Sequence, residues 1–344
     1  MLIIVYGHAP AGTKWFNTAP INPKQLGVTL FVFATSFCLV RERRSLFDAI
    51  TPRLLYVYFV GIFFALAWSL YYGIVRHDIG ESNYLPFIFG INVLVNYFPA
   101  NPSTWYIGTY LHLLLLWWVW LHRVHVRFIH LAIIAAVSIG VRSVLIASGD
   151  DFIAYMNICN WLPIFMLGMY ASQTKAESKR NYVIPAILFL SFCAAWPSIT
   201  LGLNVQQDFP FKRLEIASPI VGIIATSFAI EAIYLGVTWL IFRLSTALPN
   251  VEMVNFFARN TLFIFVSHMF LRSIVSPYLD EIVESGALRV AINILIYFVG
   301  LGLLGELFQR TLKLKSLTNG SAQWIGQTLG INHQSTCDRK PISH

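Results

Sequence analysis

The chain has 344 residues, of which 57% are hydrophobic and 12% are charged, and its formal net charge is +8 at pH 7. Soluble globular domains contain about 45–50% apolar and about 25% charged residues. The composition therefore excludes a soluble enzyme, a disordered chain and a soluble nucleic-acid-binding domain. The positive charge has to be explained by its distribution along the chain.

The four cysteines lie far apart, at Cys38, Cys159, Cys193 and Cys337. They show neither the CxxC spacing of a zinc site nor the density of a disulfide scaffold. We therefore expect neither a metal site nor a disulfide.

The apolar runs of the sequence predict an all-α integral membrane protein with about ten transmembrane helices. A bilayer core of roughly 30 Å needs about 20 helical residues, and only helices or closed barrels satisfy the backbone within it. The first run, residues 1–9, is shorter than this and is expected to be the second half of a truncated helix. The nine longer runs are residues 26–40, 54–75, 104–121, 128–147, 155–171, 182–203, 216–242, 256–279 and 287–308.

Residues 84–98 form a further apolar run that is expected not to cross the membrane. The run has 15 residues and contains Pro86, Gly90, Asn92 and Asn96. Segments of this length are more often re-entrant or interfacial than spanning. We therefore predict a short re-entrant or interfacial segment here.

The basic residues support a topology in which both ends of the chain are cytoplasmic. Short cytoplasmic loops are enriched in Lys and Arg, and the loops assigned to the cytoplasm hold 16 of the 24 Lys and Arg residues, against six in the outer loops. Topology thus explains the net charge, and no nucleic-acid partner is expected. Residues 1–310 are predicted to form one membrane domain, and the polar residues 311–344 a cytoplasmic tail.

Ionisable side chains within the predicted spans are candidate functional residues, because they are costly to place in lipid. The alternative for each is a structural hydrogen bond between helices. Arg142 keeps its charge and needs an acceptor, and Glu231 is its predicted partner in an intramembrane polar network. His268 lies one helical turn before Arg272 on the same face, so it is expected to be neutral or paired elsewhere.

His8 lies in the sequence VYGHAP, at the end of the first predicted helix. Imidazole is the side chain best matched to moving a proton near neutral pH. His8 is therefore a candidate for chemistry, with helix packing as the alternative.

The densest basic stretch, residues 41–53, has the sequence RERRSLFDAITPR. Its simplest interpretation is the positive-inside signal. The alternative is a phosphate-binding site at the inner mouth of the bundle, because guanidinium groups bind phosphate in a bidentate manner.

Four segments, in the same order, resemble the ten-helix membrane acyltransferases known as the acyltransferase-3 family, which modify sugars and glycans. They are LIIVYGHA, LFVFATSFCLVRERR with RLLYVYFVGIF, STWYIGTYLHLLLLWW, and FFARNTLFIFVSHMF. The last segment is the most specific, since it is similar to the family's late G-x-N-S-L-x-I-Y-x-x-H pattern.

The resemblance implies an O-acyltransferase of the cell (inner) membrane. It would take an acyl group, acetyl in the simplest case, from acyl-CoA and pass it to a hydroxyl of a cell-surface or periplasmic glycan or a lipid-linked sugar. Acyl-CoA would be a co-substrate, and no bound cofactor is expected. His8 would act as general base or would itself carry the acyl group.

The resemblance also assigns roles to other residues. The residues assigned to the phosphates of the donor are Arg41, Arg43, Arg44 and Arg53. The candidates for stabilising the oxyanion or contacting the acceptor are Tyr106, Asn260 and His268.

Two other functions are compatible with the sequence. A secondary transporter or flippase of a sugar-containing substrate would use the buried His, Arg and Glu side chains as a proton relay. A non-catalytic membrane scaffold would keep the helix bundle without the chemistry.

Overall fold

The computed structural model describes most of the helical bundle. The described residues are 23–42, 44–75, 77, 84–97, 105–174, 205–206, 210–211, 213–214, 218–246, 251–283 and 286–330. His8, Arg43 and the predicted helices at 1–9 and 182–203 lie outside these residues.

The regular secondary structure of the described residues is helical apart from one pair of two-residue strands, β1 (Val205–Gln206) and β2 (Arg213–Leu214), which pair antiparallel. A π-helical stretch covers Leu295–Gly300. The helices are α1 Pro23–Val40, α2 Leu46–Val75, α3 Leu85–Ile88, α4 Trp105–Val119, α5 Phe128–Ala147, α6 Asp151–Met156, α7 Ile158–Gln173, α8 Pro219–Ser245, α9 Glu252–Ile282, α10 Gly286–Ile294, α11 Leu301–Thr311 and α12 Leu314–Thr328.

Six helical stretches in the described residues are long and apolar enough to cross a membrane, which confirms an all-α, multi-pass membrane protein. They are Leu46–Val75, Phe128–Ala147, Asp151–Gln173, Pro219–Ser245, Glu252–Leu279 and Ala291–Thr311. Two further apolar helices, α1 with 18 residues and α4 with 15, are shorter than these six stretches. The predicted number of ten spans is therefore not confirmed.

The predicted helix at 155–171 is divided by an N-cap. The side chain of Asn157 accepts hydrogen bonds from the backbone N–H groups of Cys159 (2.8 Å) and Asn160 (3.3 Å). An Asn at this position satisfies N–H groups that have no partner within the helix. The cap therefore starts α7 at Ile158 and separates it from the short α6.

The closest helix packing joins α1 and α7. A Cβ atom added to Gly168 of α7 would overlap the Ser36 hydroxyl and the backbone carbonyl of Phe33 on α1. Only glycine permits this approach. Around this pair, α8 packs on α1, α5 and α7, while α2 packs on α4 and α9.

The segment 84–97 enters the bundle alongside α2. The Tyr84 hydroxyl lies 2.6 Å from the Ser69 hydroxyl, whereas the Tyr58 hydroxyl donates to the carbonyl of Ile88 (2.8 Å). Ser69 and Tyr58 lie about 16 Å apart along the axis of α2, because a helix rises about 1.5 Å per residue. The segment therefore contacts α2 at two well-separated levels. The segment contains only the four-residue α3 and one short 3-10 turn. The prediction that this segment does not span as one helix is confirmed for the described residues 84–97.

Basic residues from several predicted cytoplasmic loops meet at one end of the bundle. Arg41 lies over the ring of Phe37 (4.1 Å) and Arg243 over that of Trp239 (6.0 Å), and both rings contact Phe242. We call this end the arginine end; its arginines are Arg41, Arg44, Arg53, Arg243, Arg259 and Arg310.

Part of the predicted polar tail, 311–344, is a helix that packs on the membrane domain. Leu314, Thr318 and Ala322 of α12 are buried. Residues four apart lie on one helical face, and this face of α12 packs on α2.

Candidate functional site

A cavity of about 270 Å³ lies between α1, α2, α4 and α9. Its walls combine aromatic, hydroxyl and guanidinium groups, the mixture expected of a site for an amphipathic ligand. The lining residues are Phe31, Thr35, Arg53, Tyr56, Val57, Tyr106, Tyr110, Ala258, Arg259, Thr261, Leu262 and Phe265.

Arg53 and Arg259 mark the side of the cavity that faces the arginine end. Arg53 lies in the first turns of α2 and Arg259 in those of α9. The Arg53 guanidinium donates to the carbonyl of Ala49 (2.6 Å) and to the Glu42 carboxylate (2.9 Å). Arg259 donates to Glu252 (3.1 Å).

Glu42 links two of the arginines assigned to donor phosphates. Its carboxylate accepts from Arg44 through Nε (3.0 Å) and a terminal nitrogen (2.7 Å), and from Arg53. Hydrogen bonding from Arg44, supported by Arg53, lowers the pKa of Glu42 to about 2. Of the other two assigned arginines, Arg41 packs on an aromatic ring of α1 and Arg43 lies outside the described residues. The structure thus brings Arg44 and Arg53 together around a carboxylate.

Three tyrosine hydroxyls project into the space between these helices. Those of Tyr106 and Tyr110, one turn apart on α4, lie within hydrogen-bonding reach of Thr35. The Tyr56 hydroxyl is buried and has no hydrogen-bond partner among the described residues. A buried hydroxyl without a partner is costly, so Tyr56 would gain from a polar ligand in the cavity.

Three aromatic rings close the cavity at the side away from the arginines. The ring centroid of Phe265 lies 5.3 Å from that of Tyr106 and 5.8 Å from that of Phe31, and the last two are 6.1 Å apart. Such spacings are those of packed aromatic pairs. We call these three residues the aromatic floor.

His268 lies beyond the aromatic floor, one turn after Phe265 on the same face of α9. Its side chain is buried, and Nδ1 is 2.6 Å from the carbonyl oxygen of Phe265. Lys24 and Arg272 act on it electrostatically. His268 therefore continues the line of cavity residues on α9 toward the opposite end of the bundle.

Asn260 is placed away from the cavity. Its amide nitrogen donates to Phe256 (3.0 Å) and Glu306 (3.2 Å), and its oxygen accepts from Gln309 (2.9 Å). These bonds tie α9 to α11. Of the three candidates for the oxyanion or acceptor, the structure thus places Tyr106 in the cavity and His268 behind its floor.

Arg142 and Glu231 form the predicted ion pair, at 2.6 Å, with side chains only 1% and 3% exposed. Arg142 also donates to the Asn160 side chain (2.8 Å), the Ser227 carbonyl (2.8 Å) and the Ser138 hydroxyl (2.9 Å). The pair joins α5, α7 and α8. None of these residues lines the cavity.

Tyr56, Tyr110 and Arg259 were not among the site residues predicted from the sequence. A signal for two of them was present, because Tyr110 is one turn from Tyr106 and Tyr56 is one turn from Arg53, so each pair shares a helical face. Arg259 precedes the predicted Asn260 directly but was counted only as a topological charge.

Among the described residues, no cluster of three His, Cys, Asp or Glu side chains is arranged to hold a metal ion. The model of an acyltransferase domain, that of the acyltransferase-3 family, matches residues 1–307 of the chain. The matched region includes His8 and every wall of the cavity. Comparison with curated proteins and with solved structures gave no match.

Proposed function

Since the chain belongs to the acyltransferase-3 family, we propose that this membrane acyltransferase is an O-acyltransferase. It transfers an acetyl group from acetyl-CoA to a hydroxyl of a cell-surface or periplasmic glycan or of a lipid-linked sugar. It lies in the inner membrane, with the arginine end and both termini in the cytoplasm.

The observation that carries this proposal is the cavity with Arg53 and Arg259 at one side and the aromatic floor at the other. An acyl-CoA is an amphipathic donor with an anionic nucleotide end and an uncharged thioester end. Guanidinium groups suit its phosphates, and the tyrosine-lined interior suits the uncharged arm. The donor enters from the arginine end and presents its thioester near Tyr106.

In the proposed reaction, the imidazole of His8 takes the proton of the acceptor hydroxyl as its oxygen attacks the thioester carbonyl carbon. The oxyanion that forms needs donors at about 3 Å, and we assign one of them to the hydroxyl of Tyr106, whose ring belongs to the aromatic floor. When the C–S bond breaks, the CoA thiolate leaves and receives the proton from the His8 imidazolium. We assign contact with the acceptor to His268, one turn beyond Phe265, so that the acceptor hydroxyl approaches the thioester from this side of the aromatic floor.

The size of the cavity favours a short acyl chain. Along α9 the lining of the cavity ends at Phe265, whose ring packs on Tyr106. A long acyl chain would have to displace these rings, whereas an acetyl group would not.

The test is transfer of radiolabelled acetyl from acetyl-CoA to glycan in membranes that contain the full chain. We expect His8→Ala to lose the activity and the wild type to retain it. His125→Ala, which alters an exposed histidine in the loop between α4 and α5, is the matched control and is expected to behave like the wild type. Equal labelling by the wild type and His8→Ala would refute the proposed mechanism.

A further inference from the structure

A second cavity, of about 360 Å³, opens at the arginine end on the other side of Arg259. Four of its lining residues are cationic and one is a carboxylate, so the cavity is positively charged. The lining residues are Arg259, Glu306, Gln309, Arg310, Lys313, Lys315 and Ser316. We call it the basic groove.

The basic groove is adjacent to the first cavity, the one between α1, α2, α4 and α9, because Arg259 lines both. We call this first cavity the donor cavity. A ligand in the groove can therefore extend past this guanidinium into the space below Tyr56. Neither Arg41 nor Arg44 lines the groove.

The charge of the groove is only partly compensated by acidic side chains. Glu306 accepts from Arg310 (3.0 Å) and from Asn260 (3.2 Å), and Arg259 donates to Glu252. Among the described residues, no acidic side chain forms an ion pair with Lys313 or Lys315. The two lysines therefore provide the charge available for an anion.

The N-terminus of α12 adds to this positive potential. The helix has 15 residues, begins at Leu314, and its first N–H groups have no side-chain cap. Uncapped N–H groups and the helix dipole favour an anion at this position. Ser316, in the first turn, lines the groove and can donate a hydrogen bond from its hydroxyl.

From this arrangement we propose that the basic groove binds the adenosine 3′-phosphate end of the CoA donor. The diphosphate passes Arg259, and the pantetheine arm continues into the donor cavity. This inference rests on the proposed function and moves part of the donor site from the basic segment 41–53 to the start of α12.

The test compares binding of CoA and of 3′-dephospho-CoA to the purified full chain. We expect the wild type to bind CoA at least about tenfold more tightly, which corresponds to about 1.4 kcal/mol, because charge-assisted contacts hold the 3′-phosphate. The variant Lys313→Asn/Lys315→Gln is expected to bind the two nucleotides with nearly equal affinity. Asn is chosen because Lys313 has φ +47, a conformation that Asn tolerates.

Arg243→Ala is the matched control, because it removes a charge at the same end of the bundle, on α8, outside both cavities. It is expected to keep the preference for CoA. If the wild type bound CoA and 3′-dephospho-CoA equally, the proposal would be overturned without reference to any variant. An unchanged preference for CoA in the Lys313→Asn/Lys315→Gln variant would also overturn it.

Two further measurements are made. One distinguishes CoA phosphate from lipid phosphate as the natural occupant of the groove, and the other distinguishes failure of this proposal from failure of the proposed function. Binding is measured in nanodiscs of neutral phosphatidylcholine and in nanodiscs with anionic lipid; a preference for CoA that exists only without anionic lipid would show that lipid phosphate is the natural occupant and would overturn the proposal. Transfer of labelled acetyl is measured on the same samples. A wild type that binds CoA selectively but transfers no acetyl would refute the proposed function and leave the assignment of the groove standing.

Discussion

Phe265 is the side chain of the aromatic floor that lies directly between the donor cavity and His268. Replacing it with Ala should deepen the cavity and admit a longer acyl chain. The ratio of kcat/KM for butyryl-CoA to that for acetyl-CoA is expected to rise roughly tenfold, because each of the two added methylenes gains about 0.8 kcal/mol when it is buried. The measurement is steady-state transfer with the two donors.

Phe63→Ala is the matched control for this substitution. Phe63 is 44% exposed on α2 and does not line the cavity. It should leave the ratio unchanged. An unchanged ratio in folded Phe265→Ala, with folding verified by thermal unfolding, would show that the aromatic floor does not limit chain length.

Glu42 provides a pH-dependent contribution to stability at the arginine end. Its pKa is lowered from 4.5 to about 2, first by the hydrogen bond from Arg44. Because the pKa is lower in the folded protein, the contribution is complete above about pH 4.5 and is lost as the pH falls toward 2. Solvent screens this pair, so the contribution should not exceed about 1 kcal/mol.

We therefore expect the stability difference between the wild type and Glu42→Gln to be the same at pH 8 and pH 6 and to shrink between pH 4.5 and pH 3. The measurement is thermal unfolding in detergent at each pH. Glu252→Gln, which alters a carboxylate that is 77% exposed, is the control and should change stability little at pH 7. A difference that grew on acidification would contradict the sign of this argument.

The Arg142–Glu231 pair holds three helices together, because its hydrogen bonds connect α5, α7 and α8. Removing one partner leaves an uncompensated buried charge, and Arg142→Leu should destabilise the protein by about 3–5 kcal/mol. The double variant Arg142→Leu/Glu231→Leu removes both charges and should recover much of this loss. Thermal unfolding of the single and double variants measures the effect.

The double variant also distinguishes a structural role from a proton relay. If the pair serves only to hold three helices together, the double variant should transfer acetyl at close to the wild-type rate once folded. A folded double variant without activity would instead support a functional role for these charges, as a relay in a transporter would require.

Gly168 determines how closely α1 and α7 approach. An added methyl would overlap the backbone of Phe33, and the backbone cannot move aside as a flexible side chain can. Gly168→Ala should therefore destabilise the protein by about 1–3 kcal/mol, the usual effect of overpacking. Gly236→Ala on α8 is the matched control, since nothing lies within 4 Å of the added atom, and it should not destabilise. Equal thermal stability of the two variants would contradict this view of the α1–α7 contact.

The helices themselves were predictable because apolar runs of sufficient length have few alternatives in a bilayer. The absence of a spanning helix over residues 84–97 was predictable for the same reason, since the length of this segment and its Pro and Gly residues do not suit one. The residues at which helices begin and end depended instead on side-chain hydrogen bonds at the helix ends. The cap at Asn157 starts α7 three residues after the predicted start, and the hydrophobic pattern contains no sign of it.

The candidate site was predictable only in part, because four helices far apart in the chain form it. Composition identified Arg53, and the family resemblance identified Tyr106. The sequence alone did not show that Glu42 forms ion pairs with Arg44 and Arg53, or that Arg259 lines two cavities. A loop arginine that fixes topology and one that binds a ligand have the same residue type, and only their position in the folded bundle separates them.

The orientation of the whole molecule gives the last prediction. If the arginine end is cytoplasmic, a cysteine at Thr246, after α8, should react with a membrane-impermeant maleimide only in inverted vesicles, and one at Ser148, after α5, only in right-side-out vesicles. Both positions are exposed and lie at helix ends. The substitutions are made in a chain whose native cysteines are replaced by Ser, and permeabilised vesicles, in which both sites should react, are the control. The opposite labelling pattern would place the arginines outside, where no pool of acyl-CoA is available, and would exclude the proposed route of the donor.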